Sequence, residues 1–111
     1  MNYTTIELTY DTGIATVTLN RPDKRNAISY DLIQDLLSAL QDVAKSSSQV
    51  LILTGAGKAF CSGMDLDNLK ALIGRTPEQS LEDSRTMASL FRTLYDFPKP
   101  TIAAVNGAAI A

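Results

Sequence analysis

The fold depends on one stretch, Val50-Leu51-Ile52-Leu53-Thr54-Gly55-Ala56-Gly57-Lys58-Ala59-Phe60-Cys61-Ser62-Gly63-Met64-Asp65-Leu66. It begins as a short apolar run, which predicts a buried strand. Gly55 and Gly57 end that strand, because glycine adopts backbone angles that other residues avoid. The apolar residues 59–61 return the chain to the interior, and residues 62–66 predict a turn that opens a helix. Since the first N–H groups of a helix have no partner within it, this stretch is a candidate site for a phosphate or an oxyanion.

Two common glycine-rich nucleotide-binding motifs fail in this stretch. A P-loop reads Gly-x-x-x-x-Gly-Lys-Ser/Thr, but around Gly57-Lys58 the first and last of these positions hold Ile52 and Ala59. The dinucleotide motif reads Gly-x-Gly-x-x-Gly, and its last position holds Phe60. A nucleotide-binding α/β domain is therefore a weak alternative. A joint between strand and helix with a purely structural role stays open.

The same stretch resembles the signature of the enoyl-CoA hydratase/isomerase (crotonase) superfamily. The matching residues read Leu53-Thr54-Gly55-x-Gly57-x-Ala59-Phe60-Cys61-Ser62-Gly63-x-Asp65-Leu66. Three other segments match the superfamily in the right order: Leu19-Asn20-Arg21-Pro22, Arg25-Asn26-Ala27 and Lys99-Pro100-Thr101-Ile102-Ala103-Ala104-Val105-Asn106-Gly107. The resemblance covers nearly the whole chain, and the four motifs in this order are specific together.

The composition is that of a soluble globular protein of one domain at most. Of the 111 residues, 45% are apolar and 20% charged, and the net charge of −2 offers no basic surface to nucleic acid or an anionic membrane. No apolar run approaches the roughly 20 residues that span a bilayer. One Cys and no His exclude an internal disulfide, His-based metal sites and Ser–His–Asp catalysis. Met1–Thr5 does not read as a signal peptide, so we expect a cytoplasmic protein without a bound metal.

The order of predicted elements indicates an α/β fold. The patterns predict a hairpin over 6–10 and 14–19, a helix capped by Ser29, the strand from Val50, a helix start at Asp65, a helix with a capping box at Thr76, and a strand over 101–105. In the helix after Thr76, an apolar stripe is predicted to pack in the core; it comprises Met87, Ala88, Phe91, Leu94 and Tyr95.

The resemblance specifies this α/β fold as the repeated β-β-α superhelix of the crotonases. The chain ends in small and apolar residues over 106–111, without charge or turn signal, which we interpret as a chain truncated before the later repeats and the C-terminal helices. Residues 1–111 would then be the N-terminal part of a single crotonase-like domain, and the full-length parent a homotrimer or hexamer.

The resemblance also implies the substrate, an acyl-CoA thioester whose oxygen gains negative charge during the reaction. Two backbone N–H groups hold that oxygen, each worth about 2.7–4 kcal/mol in comparable sites. The first is that of Met64, which follows the Gly of Ser-Gly-x-Asp, although a plain core side chain is the alternative reading. Asp65 is expected to cap a helix rather than to act as acid or base, and Cys61 to be an inert thiol.

Other candidate contacts to coenzyme A follow from the same resemblance. Lys24 or Arg25 would face the nucleotide phosphates and the backbone at Ala27 the adenine, although a solvated loop explains these residues equally well from composition. The remaining expected contacts are made by Ala59, Ser62, Gly63, Asp65, Leu66 and Gly107. No separate cofactor is expected, because coenzyme A is part of the substrate.

The expected activity is hydration or isomerisation of an enoyl-CoA in fatty-acid metabolism, carried out by the parent protein. The second oxyanion donor and the acidic residues that transfer protons would lie beyond Ala111, so the 111 residues alone are expected to be inactive. Two alternatives stay open: a non-catalytic acyl-CoA-binding or interaction fragment, and another reaction of the superfamily (CoA-thioester hydrolase, dehalogenase or synthase).

Overall fold

Strands and helices alternate along the chain in a computed structural model that describes residues 2–110. The strands are β1 (Ile6–Asp11), β2 (Ile14–Leu19), β3 (Val50–Gly55), β4 (Ala59–Cys61), β5 (Thr101–Ala103) and β6 (Ala108–Ala109). The helices are α1 (Tyr30–Lys45), α2 (Leu66–Ala71) and α3 (Pro77–Tyr95), with short 3₁₀ turns at Pro22–Lys24 and Leu72–Gly74. The predicted α/β class is confirmed.

Two sheets organise the strands. The larger has the order β1-β2-β3-β5, in which β1 and β2 form the predicted antiparallel hairpin and the other neighbours are parallel. In the smaller sheet β4 and β6 pair in parallel. The unit β3–β4 is thus followed by a second unit, β5–β6, whose strands lie beside their counterparts, with Leu51 opposite Thr101 and Ala59 opposite Ala108. This agrees with the repeated β-β-α arrangement that the resemblance implies.

The sequence patterns missed two strands and overextended a third. β4 and β6 have three and two residues, too few for an alternation of apolar and polar side chains to be visible. β5 ends at Ala103 rather than Val105, since Asn106 turns the chain towards the β3–β4 turn.

The core lies between α1 and the larger sheet. Helix α1 begins where Ser29 caps it, the Ser29 side chain accepting a hydrogen bond from the Leu32 N–H at 3.2 Å. One face of the helix is buried against the sheet, and each buried Leu or Ile on it contributes about 1.5–3 kcal/mol. The buried side chains are Leu32, Ile33, Leu36, Ala39, Leu40 and Val43 from α1, with Ile6, Ala15, Val17, Leu19 and Leu51 from the strands.

Helix α3 agrees with the prediction at its start and differs along its length. The capping box is present: the Thr76 hydroxyl accepts from the Gln79 N–H at 3.1 Å, and the Gln79 side chain accepts from the Thr76 N–H at 3.0 Å. The predicted core stripe is wrong in part, because Phe91 is 53% exposed and Tyr95 86% exposed. Periodicity shows which helix face is apolar; it does not show that another element covers that face.

No helix within residues 2–110 is long and apolar enough to cross a membrane.

Candidate active site

Two asparagines, far apart in the sequence, hold the turn between β3 and β4. The buried amide of Asn26 donates to the carbonyl oxygens of Ala56 and Ala59, at 2.9 Å each. The Asn106 amide donates to the same Ala59 oxygen at 3.3 Å, and its oxygen accepts from the Gly55 N–H at 3.0 Å. A Cβ at Gly55 would lie 2.7 Å from the Ala59 oxygen and 2.9 Å from the Asn26 amide nitrogen. Only glycine fits there, and the turn has one defined shape.

The backbone at Met64 is held by a single parallel bridge to Ile28. The Ile28 N–H donates to the Gly63 carbonyl at 2.7 Å, and the Asp65 N–H donates to the Ile28 carbonyl at 2.9 Å. Gly63 has a φ of +92°, in the left-handed region that favours glycine. The bridge leaves the Met64 N–H unused, and this group donates to no acceptor within residues 2–110. It is therefore a free backbone donor in a fixed position.

Asp65 is fully engaged in structural contacts. Its carboxylate accepts from Arg21 Nη2 at 3.0 Å and from the Asn68 N–H at 3.1 Å. Burial by itself raises the pKa of Asp65, but the Arg21 hydrogen bond, the backbone N–H groups of Asn68 and Asp67 and the Arg21 charge together hold the pKa below its ordinary value. The structure thus agrees with the predicted capping role, and this carboxylate stays ionised at neutral pH.

The same contacts correct one expectation about the start of helix α2. The sequence suggested that the first N–H groups of this helix could bind an anion. Two of these groups, on Asp67 and Asn68, already point at the Asp65 carboxylate. The Met64 N–H, just ahead of the helix, donates to no acceptor among residues 2–110.

A cavity of about 410 Å³, which we call the polar cleft, is lined by most of the residues predicted to contact coenzyme A. Its walls include seven of them: Lys24, Arg25, Ala27, Ser62, Met64, Asp65 and Leu66. Asp67 and Lys70 complete the lining. The Ser62 hydroxyl donates to the Lys24 carbonyl at 3.3 Å, which joins the two walls. Three cationic residues, Lys24, Arg25 and Lys70, therefore line a cleft to which Met64 also contributes.

Two apolar cavities also meet at Met64. The α3 cavity, about 480 Å³, has apolar walls from Leu72, Ala88 and three shared residues, and polar walls from Tyr30, Ser80, Asp83 and Ser84. The strand cavity, about 490 Å³, is lined by Ile28, Phe60, Cys61, Gly63, Ala109 and Ile110 together with the shared residues. The residues common to both cavities are Met64, Met87 and Phe91. Met64 is thus the meeting point of one polar and two apolar spaces.

Three predicted contacts lie outside the lining of the polar cleft. Ala59 is buried in β4, with its carbonyl oxygen taken by the two asparagines. Gly107 packs on the backbone of Lys58, and a Cβ there would collide with the Lys58 carbonyl oxygen. Gly63 lines the strand cavity. Ala59 and Gly107 shape the turn beside the site, and their direct contact with a substrate stays a prediction.

Cys61 lines the strand cavity as a half-buried free thiol. In the part of the chain that the structure describes, no group of His, Cys, Asp and Glu side chains could hold a metal ion. What the arrangement offers chemically is a cationic cleft, apolar space and one oriented N–H donor.

Several site residues were not singled out from the sequence. Lys70 lines the polar cleft and Arg21 orients Asp65, while Tyr30 and Asp83 line the α3 cavity. Lys70 could have been found, because it lies one helical turn after Leu66 on α2. The pairs Arg21–Asp65 and Tyr30–Asp83 are 44 and 53 residues apart in sequence, and no local pattern reports such contacts.

With this geometry in place, comparison with known proteins identifies the class. The family model described as enoyl-CoA hydratase/isomerase matches residues 9–111. The chain belongs to the enoyl-CoA hydratase/isomerase family.

Individual relatives agree on the family and differ in the reaction that they are named for. The chain is 36% identical over 105 residues to enoyl-CoA delta isomerase 2 of Rattus norvegicus, covering 95% of the chain and 27% of the isomerase. It is 41% identical over 106 residues to hydroxycinnamoyl-CoA hydratase-lyase of Pseudomonas fluorescens, covering 93% of the chain and 38% of that enzyme.

A solved structure supports the fold. An enoyl-CoA hydratase from Shewanella pealeana superposes with a TM-score of 0.93 at 34% identity, over 96% of this chain and 40% of that one. The fold is therefore that of the crotonases. The chain spans less than half the length of each of these relatives, and it contains the part of the fold described above.

Proposed function

We propose that this chain carries the coenzyme A-binding part and one oxyanion donor of an acyl-CoA enzyme. The single observation that carries the proposal is the position of Met64, a residue that lines the polar cleft and both apolar cavities and whose N–H donates to no acceptor among residues 2–110. A thioester has a polar nucleotide side, an apolar acyl side and a carbonyl oxygen between them. The site offers matching surroundings in the same order.

The charge of the polar cleft supports the nucleotide side of this proposal. Lys24 and Arg25 project from the loop after β2 and are exposed, and Lys70 faces the same cleft from α2. Coenzyme A carries phosphate groups, which cations of this kind attract. The acidic residues in the cleft, Asp65 and Asp67, do not cancel this attraction. Arg21 already pairs with Asp65, and the three cations outnumber Asp67.

The proposed reaction is hydration or isomerisation of an enoyl-CoA by the parent protein, through a thioester enolate. Its charge would be stabilised by the Met64 N–H as one of two backbone donors, because a donor fixed in advance needs little reorganisation. The cofactor requirement proposed is none beyond the coenzyme A of the substrate. We place the second donor and the proton-transferring acids in the part of the fold that this chain does not span.

Coenzyme A binding tests the first half of the proposal. The double substitution of Lys24→Gln with Arg25→Gln should weaken coenzyme A binding about tenfold in calorimetry, since two charge-assisted contacts are lost. The loss should shrink at high ionic strength, where exposed charges are screened. Lys45→Gln, at the exposed end of α1, is the matched control and should bind normally. Equal binding by all three proteins contradicts the assignment of the cleft.

The oxyanion donor can be removed without changing a side chain. Cys61 permits ligation of a synthetic segment that starts at this residue, in which the Met64 amide is replaced by an ester. The ester chain should bind acetoacetyl-CoA, which forms an enolate, about tenfold more weakly than the all-amide chain ligated in the same way. Its affinity for free coenzyme A should not change. Unaltered binding of acetoacetyl-CoA removes Met64 from the proposal.

One observation favours binding without turnover for the chain by itself. Asp65, the carboxylate adjacent to Met64, is taken up by Arg21 and the start of α2, so it cannot accept a proton readily. We therefore expect no hydration of crotonyl-CoA by the 111 residues. A measurable rate of hydration, monitored as the loss of the enoyl absorbance, would overturn this expectation.

A further inference from the structure

The α3 cavity has a polar end and an apolar end. Ser80, Asp83, Ser84 and Met87 all line it, and their spacing of three or four residues puts them on one face of α3. Phe91 continues that face one turn further. With a rise of about 1.5 Å per residue, Ser80 lies about 10 Å from Met87 along the helix axis.

The apolar end is the one beside the proposed oxyanion donor, because Met64, Met87 and Phe91 line both apolar cavities. We place an acyl group with its carbonyl oxygen on the Met64 N–H so that it enters the α3 cavity from this end. Its far end would then approach Ser80 and Asp83.

A network of hydrogen-bonded polar groups lies at the other end. Arg75 donates to Asp83 through Nε at 3.1 Å and through Nη2 at 2.9 Å, and the Tyr30 hydroxyl donates to the same carboxylate at 3.2 Å. Arg75 balances the charge of Asp83, which makes a carboxylate tolerable beside apolar walls. Burial, then the hydrogen bond to Asp83, raises the pKa of Tyr30, so its hydroxyl stays protonated.

Further polar groups at this end are unused. The hydroxyls of Ser80 and Ser84 have no hydrogen-bond partner among residues 2–110. The Tyr30 oxygen donates its one proton to Asp83, so it can still accept. The polar end thus presents acceptors to any group that reaches it.

We infer that the α3 cavity selects acyl groups with a hydroxyl at the end remote from the thioester. This inference rests on the proposed acyl-CoA site. A terminal hydroxyl supplies the donor that the Asp83 carboxylate and the Tyr30 oxygen can accept. A terminal methyl group would displace water from these atoms without replacing its hydrogen bonds, and a terminal carboxylate has no proton to donate to the Asp83 and Tyr30 oxygens.

Matched pairs of saturated thioesters test this inference by competition binding. The pairs are ω-hydroxyoctanoyl-CoA with octanoyl-CoA, and para-hydroxyphenylacetyl-CoA with phenylacetyl-CoA. In at least one pair the hydroxylated thioester should bind about tenfold more tightly, as one charge-assisted hydrogen bond allows.

Variants show whether the polar end is the cause. Tyr30→Phe keeps the ring and removes the hydroxyl, and Asp83→Asn keeps the shape and removes the charge; both should bring the ratio within each pair towards one. Glu82→Gln, the exposed neighbour on α3, is the control and should leave the ratio unchanged. A merely structural role of Tyr30 and Asp83 would lower the affinities of both members of a pair alike.

The outcomes separate this inference from the proposed function. If free coenzyme A binds but the ratios are near one in the unsubstituted chain, the selection for a hydroxyl is wrong and the proposed function stands. If the hydroxylated thioester still binds about tenfold more tightly in both the Tyr30→Phe and the Asp83→Asn variant, the selection is also wrong. Absence of coenzyme A binding overturns the proposed function and this inference with it.

Discussion

At the scale of single residues, Asp65 shows how a site motif can be structural. Its carboxylate joins Arg21 from the loop after β2 to the first turn of α2. Because Asp65 directly follows Met64, these contacts also fix the backbone segment that carries the Met64 donor. Asp65 therefore positions Met64, and the group that we propose for the chemistry is the backbone N–H of Met64.

This role predicts a particular dependence of stability on pH. Because folding lowers the pKa of Asp65 below its ordinary value of 3.8, the unfolded chain binds more protons in the interval below that value. The contribution of Asp65 to the free energy of unfolding should therefore be complete above about pH 5 and be lost as the pH falls through the folded pKa. Urea unfolding at a series of pH values measures it.

Two amide variants check the assignment. Asp65→Asn should flatten the acid limb of the stability profile, because the titrating group is gone. Asp31→Asn, which changes an exposed carboxylate in the first turn of α1, should leave the limb unchanged. The same slope in both variants would mean that another carboxylate is responsible.

At the scale of elements, the pairing of β4 with β6 depends on a close approach of two backbones. Gly107 immediately precedes β6 and lies on the Lys58 carbonyl, with Ala59 Cα 3.2 Å from where a Cβ would be. Gly107→Ala should therefore separate the two strands and lower the free energy of unfolding by about 2–3 kcal/mol.

Gly74 is the matched control for this substitution, since a Cβ there meets nothing within 4 Å. Gly74→Ala should be neutral or stabilise the chain by up to about 1 kcal/mol, through the smaller entropy of the unfolded chain. Chemical denaturation of both variants measures the difference. Equal stabilities would contradict the close approach at Gly107.

The cap of α3 supplies a second test at this scale. Thr76→Ala removes the hydroxyl that accepts from the Gln79 N–H, while the backbone N–H of residue 76 can still donate to the Gln79 side chain. The loss should lower the free energy of unfolding by about 1 kcal/mol. Thr86→Ala is the control, because that hydroxyl bonds only the Glu82 carbonyl of its own helix and alanine is the better helix former. A loss at Thr86 as large as that at Thr76 would argue against the cap.

At the scale of the whole molecule, apolar side chains remain exposed at the edge strand β5, in the residues after it and in the second half of α3. Ile102 of β5, Val105 and Ile110 are each more than half exposed, and so are Phe91 and Tyr95 of α3. In repeating folds each unit buries its apolar surface against the next one. Exposed patches of this kind promote association.

We therefore expect the 111 residues to self-associate at micromolar concentrations. Sedimentation velocity should show association that Ile102→Lys and Ile110→Lys reduce. Leu81→Lys removes a similarly exposed side chain from the first turns of α3 and should have no such effect. A monomer at all concentrations, or equal effects of the three substitutions, would contradict the assignment of the exposed edge.

Local signals explain which parts of this architecture could be predicted. The caps at Ser29 and Thr76 and the apolar face of α1 each depend on residues within a few positions of one another. Superfamily resemblance supplied the β-β-α order and most residues of the polar cleft. Neither local signals nor the resemblance predicted contacts between distant residues. The clamp that Asn26 and Asn106 form on the Ala59 carbonyl and the Tyr30–Asp83 contact are visible only in the folded chain.

The clamp on Ala59 has a consequence for biosynthesis. Asn26 precedes the β3–β4 turn by about thirty residues and Asn106 follows it by nearly fifty. A ribosome delivers the chain from its N-terminus at about 5–20 residues per second, so the turn is made seconds before its second asparagine exists. The hydrogen bonds from Asn106 to this turn cannot form until Asn106 has left the exit tunnel of the ribosome. The turn beside the candidate active site is thus among the last parts of this segment to reach its final shape.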